Sequence, residues 1–164
     1  MERRELFDSL TSAFADRSGQ KSEIILRPPY NNDESLFHNE CQNCDGKCAT
    51  VCEEEIIKIA KDMTPYLSFE KSGCTFCDDC VSACEFGVLV LENKNNIKAS
   101  INISVSSCLA WNDTMCFSCK DPCLDNAIIF QGLFKPVIDE LKCTACGFCI
   151  SRCPAFAIEI EGLS

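Results

Sequence analysis

Histidine and tryptophan each occur once in this chain of 164 residues, and lysine plus arginine total only 15 against 25 acidic residues. Each shortage closes off a class of function. His38, the single histidine, lies in a polar stretch and is expected at the surface rather than in a catalytic group. No glycine-rich phosphate loop, flavin or nicotinamide fingerprint, or nucleophile elbow is present, so an enzyme in the usual sense is not expected. The formal charge of −10 disfavours nucleic acid and anionic lipid. It suits a basic patch on a protein partner, although excess carboxylates also simply keep a small protein dispersed. No run of about 18 apolar residues occurs, so no membrane-spanning helix is expected. Arg3 and Arg4 hint at a twin-arginine signal, but Asp8, Asp16 and Arg17 interrupt the place where an apolar region should follow. A cytoplasmic protein is the expectation.

What the chain has in abundance is cysteine, 16 in all. A short cysteine-rich chain is either a secreted disulfide scaffold or a metal protein, and a reducing cytoplasm favours the second. Cys143, Cys146, Cys149 and Cys153, followed by Pro154, have the C-x2-C-x2-C-x3-C-P spacing of a bacterial ferredoxin [4Fe–4S] run. Cys74, Cys77, Cys80 and Cys84 repeat that spacing. Cys41, Cys44, Cys48 and Cys52, and then Cys108, Cys116, Cys119 and Cys123, are stretched variants. Every cysteine falls into one of four sets of four, which implies four [4Fe–4S] clusters. A cube with four thiolates carries about −2, so four would add roughly −8 to an already acidic chain.

Around the cysteines runs an internal repeat. Each copy is expected to hold a short β-like segment, a cysteine loop, at most a turn of helix, and a second β-like run. The leading segments are Leu36-Phe37, Tyr66 to Phe69, Ile101 to Val105 and Pro136 to Ile138. The trailing runs are Ile56 to Ile59, Val88 to Leu91, Ala127 to Phe130 and Ala157 to Ile160. The fold class is therefore α+β, two tandem ferredoxin-like units of short strands and helices organised by clusters. Residues 36–95 form the first unit and 96–164 the second, with the polar stretch Asn93-Lys94-Asn95-Asn96 as the boundary. Residues 1–35 form an arm in which Leu6, Phe7, Leu10 and Phe14 sit at helical spacing, for packing on the protein itself or on a partner. Arg27-Pro28-Pro29-Tyr30 reads as extended and stiff.

In two-cluster ferredoxins the fourth cysteine of each run ligates the other cluster. Applied within each unit, that rule groups Cys41, Cys44 and Cys48 with Cys84, and Cys74, Cys77 and Cys80 with Cys52. It likewise groups Cys108, Cys116 and Cys119 with Cys153, and Cys143, Cys146 and Cys149 with Cys123. Pairing the first run with the fourth and the second with the third is the alternative. Gly46 eases the longer gap of the first run, and the seven residues Leu109 to Met115 require Cys108 to fold back. Phe76, Phe117 and Phe148 lie inside cysteine loops, where covering a cube is the simplest role. Trp111 is either such a cover or an exposed contact. Zinc is the rival metal, but its sites use two cysteine pairs rather than triplets plus a fourth.

Leu26-Arg27-Pro28-Pro29-Tyr30 ahead of the first run, Cys74-Thr75-Phe76-Cys77, Cys108-Leu109-Ala110 with Cys116 and Cys119, and Cys143-Thr144-Ala145-Cys146-Gly147 with Cys153-Pro154 together resemble the NapF family of ferredoxin-type proteins. The likeness runs over essentially the whole chain. The stretched first run, and Glu53 where that family has proline, depart from its pattern. The resemblance implies a cytoplasmic accessory protein of the periplasmic nitrate reductase system. It would bind the molybdenum-containing catalytic subunit NapA before export and support its maturation, with electron donation as one means. A permanent wire subunit of a molybdopterin or hydrogenase-type oxidoreductase is the alternative, and a scaffold with purely structural clusters is a third. Units of this size are too small for a generous apolar core, so the clusters must contribute much of the folding free energy. Chelation with oxidation is expected to abolish the far-UV circular dichroism of ordered structure; a stripped protein that keeps its native spectrum would refute this.

Overall fold

The computed structural model describes residues 24–163 of the chain. The helical reading of Leu6 to Phe14 lies outside these residues. The ordered structure consists of short pieces: helices α1 (Ser35–Glu40), α2 (Lys47–Thr50), α3 (Asp79–Ser82) and α4 (Phe148–Arg152), and strands β1 (Ile57–Ile59), β2 (Pro65–Leu67), β3 (Ala99–Ile103), β4 (Ile128–Gln131), β5 (Phe134–Ile138) and β6 (Ile158–Gly162). The strands pair as three separate antiparallel ribbons, β1 with β2, β4 with β5, and β3 with β6. Two-stranded ribbons are marginal alone, so each must lean on something else.

The two hairpins are closed by local chemistry. Between β1 and β2, Asp62 accepts the backbone N–H of Thr64 at 3.1 Å and its hydroxyl at 2.8 Å. Between β4 and β5 only Gly132 and Leu133 intervene, Gln131 facing Phe134. Gly132 takes a φ of +72°, which a two-residue hairpin loop demands at its first central position. The third ribbon is long-range: Ile101 faces Ile160 and Ile103 faces Ile158, so the strand before the third cysteine run is held by the strand after the fourth. Ile101, Ile128 and Ile158 point into the same apolar core.

The first copy of the repeat departs from expectation. Leu36-Phe37 is not β-like but lies in α1. The Asp33 carboxylate accepts the N–H and the hydroxyl of Ser35, which turns the chain into a helix, and Phe37 drops into the core at 1% exposure. An apolar pair alone does not distinguish strand from helix. The extended partner is instead the segment from Ile24 to Pro28, which runs into a turn at Pro29 and Tyr30. The Leu26 carbonyl accepts from Leu67 N–H at 2.8 Å and the Tyr30 carbonyl from Val90 N–H at 2.9 Å. Val88 to Leu91 forms no strand, and its end curls into a 3-10 turn at Leu91–Asn93. The reason is covalent: Pro28 and Pro29 carry no N–H, so a ladder beside them can run in one direction only. The third copy lacks the short helix between its last two cysteines, having only turns from Phe117 to Lys120 and Asp121, because Pro122 cannot donate.

Arg27 clasps this first copy together. Its Nη1 donates to Thr64 Oγ1 and to the Pro65 carbonyl, both at 2.8 Å, and its guanidinium lies over the Phe37 ring at 4.9 Å. Nε faces Glu34 at 3.5 Å. Tyr30 is buried beside it and donates its hydroxyl to Asp78 at 2.8 Å. Arg27→Met keeps the apolar stem and removes both hydrogen bonds, and is expected to destabilise the chain by about 2 kcal/mol. The loss should appear as a lower urea midpoint for disappearance of the visible iron–sulfur absorption in anaerobic protein.

Candidate iron–sulfur sites

Backbone shape repeats where side chains do not. In the second and fourth runs, Phe76 and Ala145 sit two residues after the first cysteine with φ of 54° and 55°. Asp78 and Gly147, two further on, are again left-handed and open helices α3 and α4. Gly46 does the same before α2, with φ +68°. The left-handed residue reverses the chain so that the thiols on either side converge. A fourfold signature follows each last cysteine: Glu55, Gly87, Asn126 and Phe156 all have φ between 50° and 67°. Each of these residues also donates its N–H to the carbonyl of that cysteine, at 3.0 to 3.4 Å. The turn aims the next amides back at sulfur. Leu89, Ala127 and Ala157 donate their N–H groups to the Sγ atoms of Cys84, Cys123 and Cys153, each at 3.3 Å. Residue types as different as Glu, Gly, Asn and Phe conceal this position from a sequence reading.

All sixteen cysteines are free of disulfides, and they gather in groups. Cys41, Cys44, Cys48 and Cys84 line a small cavity walled by Phe37, Phe86, Val88 and Leu89. Cys74, Cys77, Cys80 and Cys52 line a second, with Tyr30, Ile56 and Leu67 behind them and Glu53, Glu54, Asp78 and Asp79 at its margin. Cys143, Cys146, Cys149 and Cys123 line another, against Ile101, Ile128 and Ile138. Cys119 lies among Cys108, Cys116 and Cys153. Each group takes three cysteines from one run and the fourth from the neighbouring run.

The seven-residue insert folds Cys108 back through a 3-10 turn at Ala110–Asn112. Asn112 donates its side-chain amide to the carbonyl of Cys108 at 2.8 Å. Trp111 is half-buried and donates its indole N–H to the Pro136 carbonyl at 3.0 Å, so it ties the insert to β5. Phe117 packs on Phe130, their ring centroids 4.8 Å apart. His38 is exposed and lines none of these groups; its Nδ1 faces the Asp62 carboxylate at 3.8 Å.

The most buried of the thiols are costly to ionise as they stand. Burial, reinforced by neighbouring thiolates, pushes Cys80 and Cys149 up to about 12. Cys41, Cys48, Cys74 and Cys119 are raised to about 11 for the same leading reason. A positively charged iron–sulfide core relieves that cost and displaces the protons. Sulfur ligands, apolar walls and amide donors to sulfur fit such a core.

The profile of the 4Fe-4S binding domain family matches residues 136–159. Ferredoxin-type protein NapF of Escherichia coli strain K12 is 32% identical over 148 residues, covering 88% of this chain and 89% of that protein. NapF of Haemophilus influenzae is 34% identical over 151 residues, covering 89% and 85%. The chain belongs to the NapF family of ferredoxin-type proteins. A more distant likeness, 27% over 161 residues and 69% of the relative, is to ferredoxin-type protein NapG of E. coli K12. Membership makes this an iron–sulfur electron carrier rather than an enzyme. Among the described residues, no helix is long and apolar enough to cross a membrane.

The crossed grouping can be read chemically. In anaerobically purified Cys84→Ala protein, Cys41, Cys44 and Cys48 are expected to become open to alkylation while Cys74, Cys77 and Cys80 stay protected. Cys52→Ala should give the reverse, as measured by peptide mass spectrometry.

Proposed function

We propose that the chain carries four [4Fe–4S] cubes in two ferredoxin-like units, residues 36–95 and 96–164, and serves the periplasmic nitrate reductase system as a cytoplasmic accessory protein. Cys41, Cys44, Cys48 and Cys84 hold the first cube, and Cys74, Cys77, Cys80 and Cys52 the second. Cys108, Cys116, Cys119 and Cys153 hold the third, and Cys143, Cys146, Cys149 and Cys123 the fourth. Bound cubes supply reversible one-electron storage; the chain's own groups set where each sits and how wet it is. The amides of Leu89, Ala127 and Ala157 each offer a sulfur a hydrogen bond, which stabilises its negative charge. The partner is the catalytic subunit NapA before export, and the task is to support its maturation by delivering electrons.

The observation that carries this reading is family membership over nearly nine-tenths of the chain, on a protein whose every cysteine falls into one of four groups. Anaerobic purification should yield about sixteen iron atoms per chain with matching sulfide. Affinity capture from cytoplasm should retain leader-bearing NapA. Stoichiometric co-purification with a mature oxidoreductase complex instead would favour a permanent wire subunit, and NapA maturation that proceeds with redox-silent cubes would leave only a scaffold.

A further inference from the structure

The two halves of the chain touch at the rims of the second and fourth cavities. The N–H of Cys74 donates to the carbonyl of Cys146 at 2.7 Å. One ligand residue of the second cavity is thus hydrogen-bonded through its backbone to one of the fourth, with no side chain between them. Two glycines make the approach possible. A methyl group on buried Gly73 would lie 2.7 Å from the Cys146 carbonyl oxygen and collide with the backbone N of Phe148. One on Gly147 would fall within the ring of Phe69, 2.7 Å from its Cε1. Phe69 is itself buried in the core at 5% exposure.

Inside each half the cavities are also neighbours. Helices α2 and α3, which carry Cys48 and Cys80, pack together, and Cys48 and Cys52 are among the thiols close enough to act on Cys80. Cys149 similarly has Cys119 and Cys123 nearby. No comparable contact joins the first group to the third among the described residues.

We propose that Gly73 and Gly147 are positioning residues that hold the second and fourth cubes against each other, so that the four cubes form one line in the order first, second, fourth, third. This rests on the four-cube reading above. One electron moving along the line returns a reduced cube to its oxidised state as the next becomes reduced; no bond or proton is exchanged, and a one-electron reductant such as dithionite fills the line. Tunnelling falls steeply with distance, so a junction without intervening side chains makes the chain one conductor rather than two. The ends of the line are the first cavity, beside exposed Phe86, and the third site, beside exposed Met115.

The test is electron paramagnetic resonance on the dithionite-reduced full chain, unmodified and as Gly73→Ala and Gly73→Leu, each assayed for iron and sulfide. Magnetic coupling across the junction should weaken progressively from Gly to Ala to Leu while the coupling within each half persists and all four cubes are retained. Leu133→Ala, an exposed side chain at the tip of the β4–β5 hairpin, should leave the spectrum unchanged. Fully loaded Gly73 variants with unaltered coupling would overturn the proposal, as would an equal change in Leu133→Ala. Should the variants fail to assemble, the unmodified protein decides alone. Its reduced spectrum must require three couplings in a line, and two isolated pairs would overturn the order. A chain without iron and sulfide would instead overturn the four-cube reading itself.

Discussion

Crowded sulfur is the constraint on which this structure depends. Burial and mutual repulsion hold the central thiols far above neutral pH, Cys80 and Cys149 highest among them. A protein that packs cysteines this way without a cationic core spends apolar volume on groups that barely interact. With the core present, the same cysteines become anchors that join loops distant in sequence. Cys84 is brought to Cys41 and Cys153 to Cys108, closures that short ribbons alone could not hold. The apolar residues that remain, such as Phe37, Ile56, Leu89, Ile101 and Ile158, share one core cluster with the buried cysteines and wall the cavities from it.

Much of the arrangement was legible because cysteine spacing is discrete. The hairpins β1–β2 and β4–β5 and the strands β3 and β6 fell close to where alternating apolar residues put them. The departures lie mostly in the first unit. Leu36-Phe37 resembles a strand only when taken without Asp33, whose carboxylate starts the helix. Arg27-Pro28-Pro29-Tyr30 read as a stiff lead-in, whereas it is the outer partner of that copy, giving carbonyls to Leu67 and Val90 in place of a full ladder. Its arginine and tyrosine also bind across the fold to Thr64 and Asp78. The left-handed residue after each final cysteine was invisible, since Glu55, Asn126 and Phe156 adopt a backbone for which glycine is preferred. There the ligand geometry overrides residue preference, as strain at a functional site commonly does.

The glycines show the same precedence of geometry over local stability. Gly147 serves two ends: its φ of +86° opens α4, and its missing side chain admits Phe69. Gly73 has no positive φ to explain it, and only the approach of Cys146 and Phe148 does. Such a contact would be easy to relax by a small separation of the halves. That it stays tight, and that it falls between two ligand loops, ties the packing of the halves to the spacing of their cavities.

Surroundings differ from cavity to cavity, and this bears on direction. The first is walled by Phe37, Phe86, Val88 and Leu89, and the charges near its thiols are of both signs, Arg27 and Glu40 by Cys41 and the pair Lys47–Glu85. The second has Glu53, Glu54, Asp78 and Asp79 at its rim, offset in part by Lys94, which pairs with Asp78 at 2.6 Å. An added electron makes a cube more negative, so nearby carboxylates oppose reduction by direct repulsion, while an apolar wall opposes it by withholding solvation. The two penalties respond differently to conditions. Salt screens exposed carboxylates at the rim far more than it alters a buried wall. Neighbouring sites built from the same cysteine pattern are thus given distinct electrostatic settings by residues outside the pattern, and a line of such sites is graded rather than uniform.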